Sequence, residues 1–267
     1  MSLDLDTVRD HYDRDHLLDS LFRDLNVSGI SADSLTVAQL AQVDQLHIGG
    51  KHATETLLDR LALDSDALCL DIGCGLGGAA RMAVTNHAVT VTGIDLTPSF
   101  CAAARDLNQV VGLDDRIEII EGDATDLPFD DAAFDAAWSL HVNMNIADKQ
   151  ALYQEAFRVL EPGGKFIIYE IFAGHGEVHY PAPWARSKEI SFLISATATR
   201  RLLADTGFQE RAWWDHQAIA IDTMDRVIKK LTDTDKPVRD WQHNLAKNLT
   251  DGRITIAMAL FDKPMAR

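Results

Sequence analysis

The chain is short of thiols, of positive charge and of long apolar runs, and each shortage excludes something. Its 267 residues hold three cysteines, Cys69, Cys74 and Cys101, with no paired C-x-x-C spacing, so neither a disulfide framework nor a thiolate metal site is indicated. Lys and Arg number 25 against 41 Asp and Glu, a formal charge of -16 with a pI near 4.9. Such a surface repels phosphate backbones and anionic lipid, so neither nucleic acid nor membrane is expected as a partner. The acidity is equally a solvated surface suited to salt, and it says nothing about chemistry. No apolar run reaches 18 residues, and M-S-L-D-L-D-T-V-R-D lacks a basic region followed by an apolar one. A soluble, cytoplasmic protein is expected.

What is present suits a large α/β unit: 46% hydrophobic and 25% charged residues support a sizeable core. Residues 1–64 carry apolar positions at helical spacing: Leu17, Leu18, Leu21, Phe22 and Leu25, then Leu40, Val43 and Leu46. They predict two or three helices, the second ending at His47-Ile48-Gly49-Gly50 and a third reaching about Leu61.

Strand and helix then alternate. Strands are predicted at 67–72, 89–95, 117–121, 134–140 and 165–172. Helices fall between them, one capped by Thr97 with Pro98 in its first turn and Gly112 closing it. Such alternation implies right-handed crossovers and a mostly parallel sheet. Further on come a helix closed by Gly207, a strand at 209–215, a helical insertion at about 219–248 and a last strand at 254–261, which is expected to run antiparallel. The insertion is read as either a lid or the surface of a homodimer.

Residues Leu68 to Gly78, L-C-L-D-I-G-C-G-L-G-G, satisfy two glycine patterns. Gly73, Gly75 and Gly78 spell the G-x-G-x-x-G of a dinucleotide site; Asp71, Gly73, Gly75 and Gly77 spell D-x-G-x-G-x-G. A parallel sheet binds its ligand outside the carboxyl ends of its strands. Asp95, after the second strand, can accept hydrogen bonds from ribose hydroxyls under either pattern.

The pieces D-I-G-C-G-L-G, G-I-D-L, G-D-A-T-D-L-P-F and V-L-E-P-G-G-K-F, in this order and spacing, resemble the class I S-adenosylmethionine-dependent methyltransferases. The resemblance covers roughly residues 65–210 and makes the dinucleotide match incidental, with Gly78 a packing glycine. It implies a Rossmann-like seven-stranded sheet, mostly parallel with an antiparallel last strand, helices on both faces and an N-terminal helical lid over 1–64. It also implies S-adenosylmethionine as cofactor. Backbone at Gly73, Gly75 and Gly77 would meet the methionine part, with Asp71 near its amino group, Asp95 on the ribose, and Leu96, Asp123 and Ala124 at the adenine. Ser139 and Gln45 complete the expected cofactor set.

After the fourth strand the chain reads S-L-H-V-N-M-N, without the N-P-P-Y segment of nucleic-acid amino-methyltransferases or the paired glutamates of protein arginine methyltransferases. A small-molecule acceptor remains. His141 falls where a side chain faces the transferred methyl and, with an ordinary pKa near 6.5, is the expected base or orienter. Asn143 follows as pocket lining and Met144 by packing. D-Q-L-H-I-G-G-K-H-A-T, the His141 segment, Y-P-A-P-W-A and S-F-L-I-S-A resemble the sarcosine/dimethylglycine and related small-molecule methyltransferases. That likeness implies Tyr12, Gln45 and His47 reaching in from the lid.

In the loop after the fifth strand, Tyr180 and Trp184 offer an aromatic wall and Arg186 a partner for a carboxylate. Glycine derivatives carry both an amine and a carboxylate and are therefore the acceptor weakly favoured, with phenolic, isoprenoid or other natural-product acceptors methylated at oxygen or carbon as the alternative. A non-catalytic module that binds the cofactor without transferring its methyl stands as a further alternative. His175 and His179 are four apart in the same loop with Glu177 between them, but no helix sets them on one face to converge, and no metal is expected.

Overall fold

A computed structural model describes residues 11–12, 35–234 and 236–265. Seven strands form one sheet: β1 (Leu68–Ile72), β2 (Thr90–Asp95), β3 (Ile117–Glu121), β4 (Phe134–Leu140), β5 (Leu160–Ala173), β6 (Gln209–Asp215) and β7 (Ile254–Asp262). Their order is β3-β2-β1-β4-β5-β7-β6. The first five are parallel, and β7 lies between β5 and β6, antiparallel to both. This is the topology expected from the alternation, with the reversed strand where the sequence placed it.

The strands are apolar because both faces are covered. In β5, Phe166, Ile168 and Phe172 enter the core on one face with Tyr153 and Leu203, while Ile167, Tyr169 and Ile171 enter the core on the other with Trp138, Leu57 and Met258. Side chains alternate along a strand, so a run without alternation of polarity fits only a sheet buried on both sides.

Helices α1 (Val37–Leu40), α2 (Gly50–Leu61), α3 (Gly78–His87), α4 (Pro98–Val110), α5 (Lys149–Val159), α6 (Ala196–Thr206), α7 (Gln217–Asp233) and α8 (Asp240–Thr250) complete the described residues. Helices α7 and α8 pack on each other and on β7. Among the described residues no helix is long and apolar enough to cross a membrane.

Two local expectations change. The helix expected through Val43 and Leu46 stops at Leu40, and Leu46 is 58% exposed. Beyond Leu40 the chain turns, and Asp44 meets Arg81 in an ion pair at 2.8 Å with both side chains buried. Thr97 takes the N-cap position of α4 but its hydroxyl makes no capping bond; its N–H instead donates to Asp95 Oδ1 at 2.9 Å. The expected helix carrying Leu17, Leu18, Leu21, Phe22 and Leu25 lies outside the described residues.

Candidate active site

The carboxyl ends of β1 to β5 open into one cavity of about 860 Å³. That is near the upper end of the roughly 300–1,000 Å³ typical of small-molecule sites. The glycine loop after β1 forms one wall. Gly73, Gly75 and Gly77 have φ of 71°, 52° and 75°, the left-handed region where glycine alone is unstrained. A Cβ on Gly73 would also collide with the Val142 side chain, so the loop and the segment after β4 interlock. Asp95 fixes the loop from β2, its Oδ2 accepting from Gly75 N–H at 2.8 Å.

Asp71, at the end of β1, lines the cavity and is 1% exposed. Its Oδ2 has no hydrogen-bond partner among the described residues. Burial pushes its pKa up to about 7, opposed by the N–H groups of the Trp138 side chain and the Ala80 backbone and aided by the Asp95 charge. A buried carboxylate oxygen left unpaired is costly unless a ligand donates to it.

The far wall beyond β2 and β3 is built by Leu96, Phe100, Asp123 and Ala124. Asp123 is held by its own turn, Oδ1 accepting from Thr125 N–H and Oγ1, each at 2.8 Å.

His141 stands at the sharp end of β4 with φ +55°, a strained value for a side-chain-bearing residue. Its N–H donates to Tyr169 O at 2.9 Å, and its ring stacks on Tyr169 with centroids 5.0 Å apart. His47, from the N-terminal segment, meets the His141 ring edge-on at 5.9 Å. His47 Nε2 lies 3.2 Å from Gly50 O, which assigns that nitrogen the proton. Burial lowers the His47 pKa to about 4. Burial and then the neighbouring His47 hold His141 well below the ordinary histidine value. Both rings are therefore neutral at pH 7.

Beneath this loop, Glu170 on β5 is 1% exposed and gathers three donors: Ser139 Oγ at 2.6 Å, and Val142 N–H and Asn143 N–H each at 3.1 Å. From the N-terminal side, Gln45 donates to Asp44 Oδ1 at 3.1 Å and accepts from Thr54 Oγ1 at 2.7 Å. A Cβ on Gly78 would strike Gln45 and Asp44, so the glycine at the start of α3 makes room for that segment. Tyr12 shares a hydrogen bond with Asn145, which also lines the cavity.

The structure thus brings Tyr12, Gln45, His47, Asp71, Gly73, Gly75, Asp95, Leu96, Asp123, Ala124, His141 and Trp184 to one cavity. Five other sequence-predicted residues do not line it. Gly77 sits behind the loop against Arg81 and Ala104; Ser139 spends its hydroxyl on Glu170; Asn143 is buried with its N–H on the same carboxylate. Tyr180 packs half-buried against the core, and Arg186 is exposed to solvent. Among the described residues no three His, Cys, Asp or Glu side chains gather as metal ligands, and His179 faces Asp251 at 4.0 Å.

Sequence reasoning missed Glu170 and the contribution of α7 and α8, which line the cavity through Thr223, Met224, Val227, Trp241 and Leu245. A carboxylate inside the otherwise apolar F-I-I-Y-E-I-F was the available signal for Glu170. For α7 the signal was weaker: Ala220, Met224 and Val227 share one helical face.

Residues 70–168 match the family model described as a methyltransferase domain. The methyltransferase GfsG of Streptomyces halstedii is 32% identical over 165 residues, 61% of this chain and 57% of that protein. The sarcosine/dimethylglycine N-methyltransferase of Halorhodospira halochloris is 30% identical over 155 residues, 58% of this chain and 56% of that protein. The chain thus spans little more than half the length of these curated relatives. Among solved structures, geranyl diphosphate C-methyltransferase from Streptomyces coelicolor A3(2), in complex with Mg2+, a thiolodiphosphate analogue and S-adenosyl-L-homocysteine, superposes with a TM-score of 0.75. It is 19% identical, and the match covers 98% of this chain and 99% of that one, a likeness of fold.

Proposed function

We propose that this chain, which carries a domain of the methyltransferase family over residues 70–168, transfers the methyl group of S-adenosylmethionine to a small-molecule acceptor. The observation that carries the reading is the pairing, in one cavity, of a buried Asp71 carboxylate with its Oδ2 unpaired, beside left-handed glycines, with a neutral His141. The residues fit the cofactor by charge and shape. Asp71 Oδ2 would accept from the amino group of the methionine part, and the bare backbone at Gly73 and Gly75 would lie against its chain. Asp95 would take the ribose hydroxyls, and Leu96, Asp123 and Ala124 the adenine. Gly77, Ser139 and Asn143 act one layer back, shaping the loops on which these contacts stand.

When bound, the cofactor would supply a methyl carbon activated by its positive sulfonium, whose sulfur keeps the bond's electron pair and leaves as the neutral thioether of S-adenosylhomocysteine. The protein's part is placement and exclusion of water, for which intramolecular comparisons allow roughly 7–11 kcal/mol of barrier. His141 holds the acceptor's X–H group by its unprotonated nitrogen and takes the proton as the new bond to carbon forms. His47 and Tyr169 fix the plane of the His141 ring. Tyr12, Gln45 and His47 belong to an N-terminal segment that serves as lid. The cavity-lining faces of α7 and α8 favour the lid reading of the helical insertion over the dimer reading. Three buried free cysteines suit a reducing cytoplasm.

The test is release of S-adenosylhomocysteine from purified protein and S-adenosylmethionine against a panel of amines, amino acids, phenols and alcohols, with mass detection of the product. Acceptor-dependent release supports the reading. Cofactor binding without methyl transfer to any acceptor would instead support a binding module.

A further inference from the structure

The acceptor half of the cavity is a chamber of a different chemistry from the cofactor half. Its walls are Ile171 on β5, Trp184 in the loop that follows, Met224 and Val227 on α7, and Trp241 and Leu245 on α8. Thr223 is the one polar side chain that the helical pair adds. At the open side, Leu46 and Val227 line the cavity while remaining 58% and 38% exposed, with Pro183, Ala147 and the charged Asp148 also exposed there.

The charged lining residues lie elsewhere or are spent. Asp44 is paired with Arg81, Asp148 caps α5 by accepting from Ala151 N–H at 2.9 Å, and Asp71, Asp95 and Asp123 stand at the ends of β1, β2 and β3. Among the described residues lining the cavity, none is Lys or Arg. A carboxylate or phosphate entering this chamber would lose its water and find no cation among the described residues. An ammonium would find aromatic rings and the exposed Asp148, whose Oδ1 already caps α5. Either loss costs far more than an apolar wall returns. A neutral, apolar molecule loses little on entry and gains the burial of its surface.

Resting on the methyltransferase reading above, we propose that the acceptor is an uncharged, lipophilic molecule presenting a hydroxyl or carbon nucleophile to His141, and that Met224, Val227, Trp241 and Leu245 select it. The glycine-derivative amine that the sequence weakly favoured is a poor match for these walls, since Arg186, its expected carboxylate partner, is exposed outside the cavity.

The test titrates three phenols of one shape into protein saturated with S-adenosylhomocysteine, by calorimetry: neutral 4-ethylphenol, carboxylate-bearing 3-(4-hydroxyphenyl)propanoate and ammonium-bearing tyramine. The expected result is binding of 4-ethylphenol at least tenfold tighter than either charged analogue. Trp241→Ala should weaken 4-ethylphenol about tenfold with S-adenosylhomocysteine affinity within twofold. Val227→Lys, at the half-exposed rim, should narrow the gap to the carboxylate analogue about tenfold and fold normally. Equal or tighter binding of either charged phenol, or no binding of 4-ethylphenol, overturns the proposal, as does a Trp241→Ala protein that binds all three as before. Failure of S-adenosylhomocysteine itself to bind would sink the cofactor reading instead, so the two failures are distinguishable.

Discussion

Ser139 donates its hydroxyl to Glu170 at 2.6 Å, one strand away and beneath the loop that presents His141. The same carboxylate holds Val142 N–H and Asn143 N–H, the two amides that follow the strained His141 backbone. Glu170→Ala leaves three buried donors without an acceptor, at about 1–3 kcal/mol for each that finds no water. The expected outcome is a clear drop in melting temperature together with a lower kcat and a nearly unchanged cofactor Kd. Glu170→Gln keeps an acceptor oxygen and should recover part of both. A Glu170→Ala protein with full turnover would show that the loop holds His141 without it.

Glu170 also gives the protein a pH signature. Burial raises its pKa from 4.5 to about 7, the hydrogen bonds only partly opposing the shift. The folded state then binds the proton more tightly than the unfolded chain. The stability this contributes is full below about pH 4.5 and is lost as pH rises through about 7. Relative to wild type, Glu170→Gln should gain up to roughly 3 kcal/mol across that window. Urea unfolding of both proteins from pH 4.5 to 7.5 measures it, and parallel curves would mean that the carboxyl titrates as it does in water.

Asp95 joins the two halves of the cofactor wall, accepting from Gly75 N–H at 2.8 Å and Thr97 N–H at 2.9 Å. Asp95→Ala frees the glycine loop and removes the proposed ribose contact at once. Affinity for S-adenosylhomocysteine should fall tenfold to a hundredfold by calorimetry. An unchanged Kd would remove Asp95 from the cofactor site.

Much of this was legible in the sequence because it depends on local pattern. The continuous apolar runs of β1 and β4 and the β-branched β2 fixed those three strands within a residue, and residues just past parallel strands meet at one edge. Strand β5 instead begins at Leu160, five residues before the expected 165, its first residue pairing with Phe134 ahead of a register shift. What depends on tertiary pairing was not legible. Leu40, Val43 and Leu46 have helical spacing, yet the turn that delivers Asp44 to Arg81 ends the helix at Leu40. Ser139 and Asn143 fall in the right segment, but only the depth of Glu170 reveals that they face it. Trp241 and Leu245 lie about 100 residues beyond His141, and nothing local ties them to its chamber.

The Asp44–Arg81 pair is fully buried, and Arg81 also donates to Asn108 Oδ1 at 2.8 Å and Leu76 O at 2.6 Å. Removing one partner strands the other charge in a dry site, at about 3–5 kcal/mol. Asp44→Asn should therefore lower the melting temperature by on the order of 10 °C. Replacing both, as Asp44→Leu with Arg81→Met, should recover most of that loss. Calorimetric scans of the three proteins decide it, and a harmless Asp44→Asn would mean that water reaches Arg81.

His141 offers the sharpest kinetic test, because its environment fixes the sign. With the ring held well below the ordinary histidine pKa by burial and by His47, the base form is complete at neutral pH. kcat/KM should then stay flat from pH 6.5 to 8 and decline only in acid, as His141 takes up a proton and loses its lone pair. His141→Ala should lower kcat by a hundredfold or more if the ring accepts the acceptor's proton, with S-adenosylhomocysteine affinity within about threefold, since general-base contributions run from roughly 10² to 10⁴. A profile with its midpoint near 6.5 would mean a solvated ring. A flat profile retained at full rate in the variant would leave placement alone to account for the transfer, with His141 serving as wall.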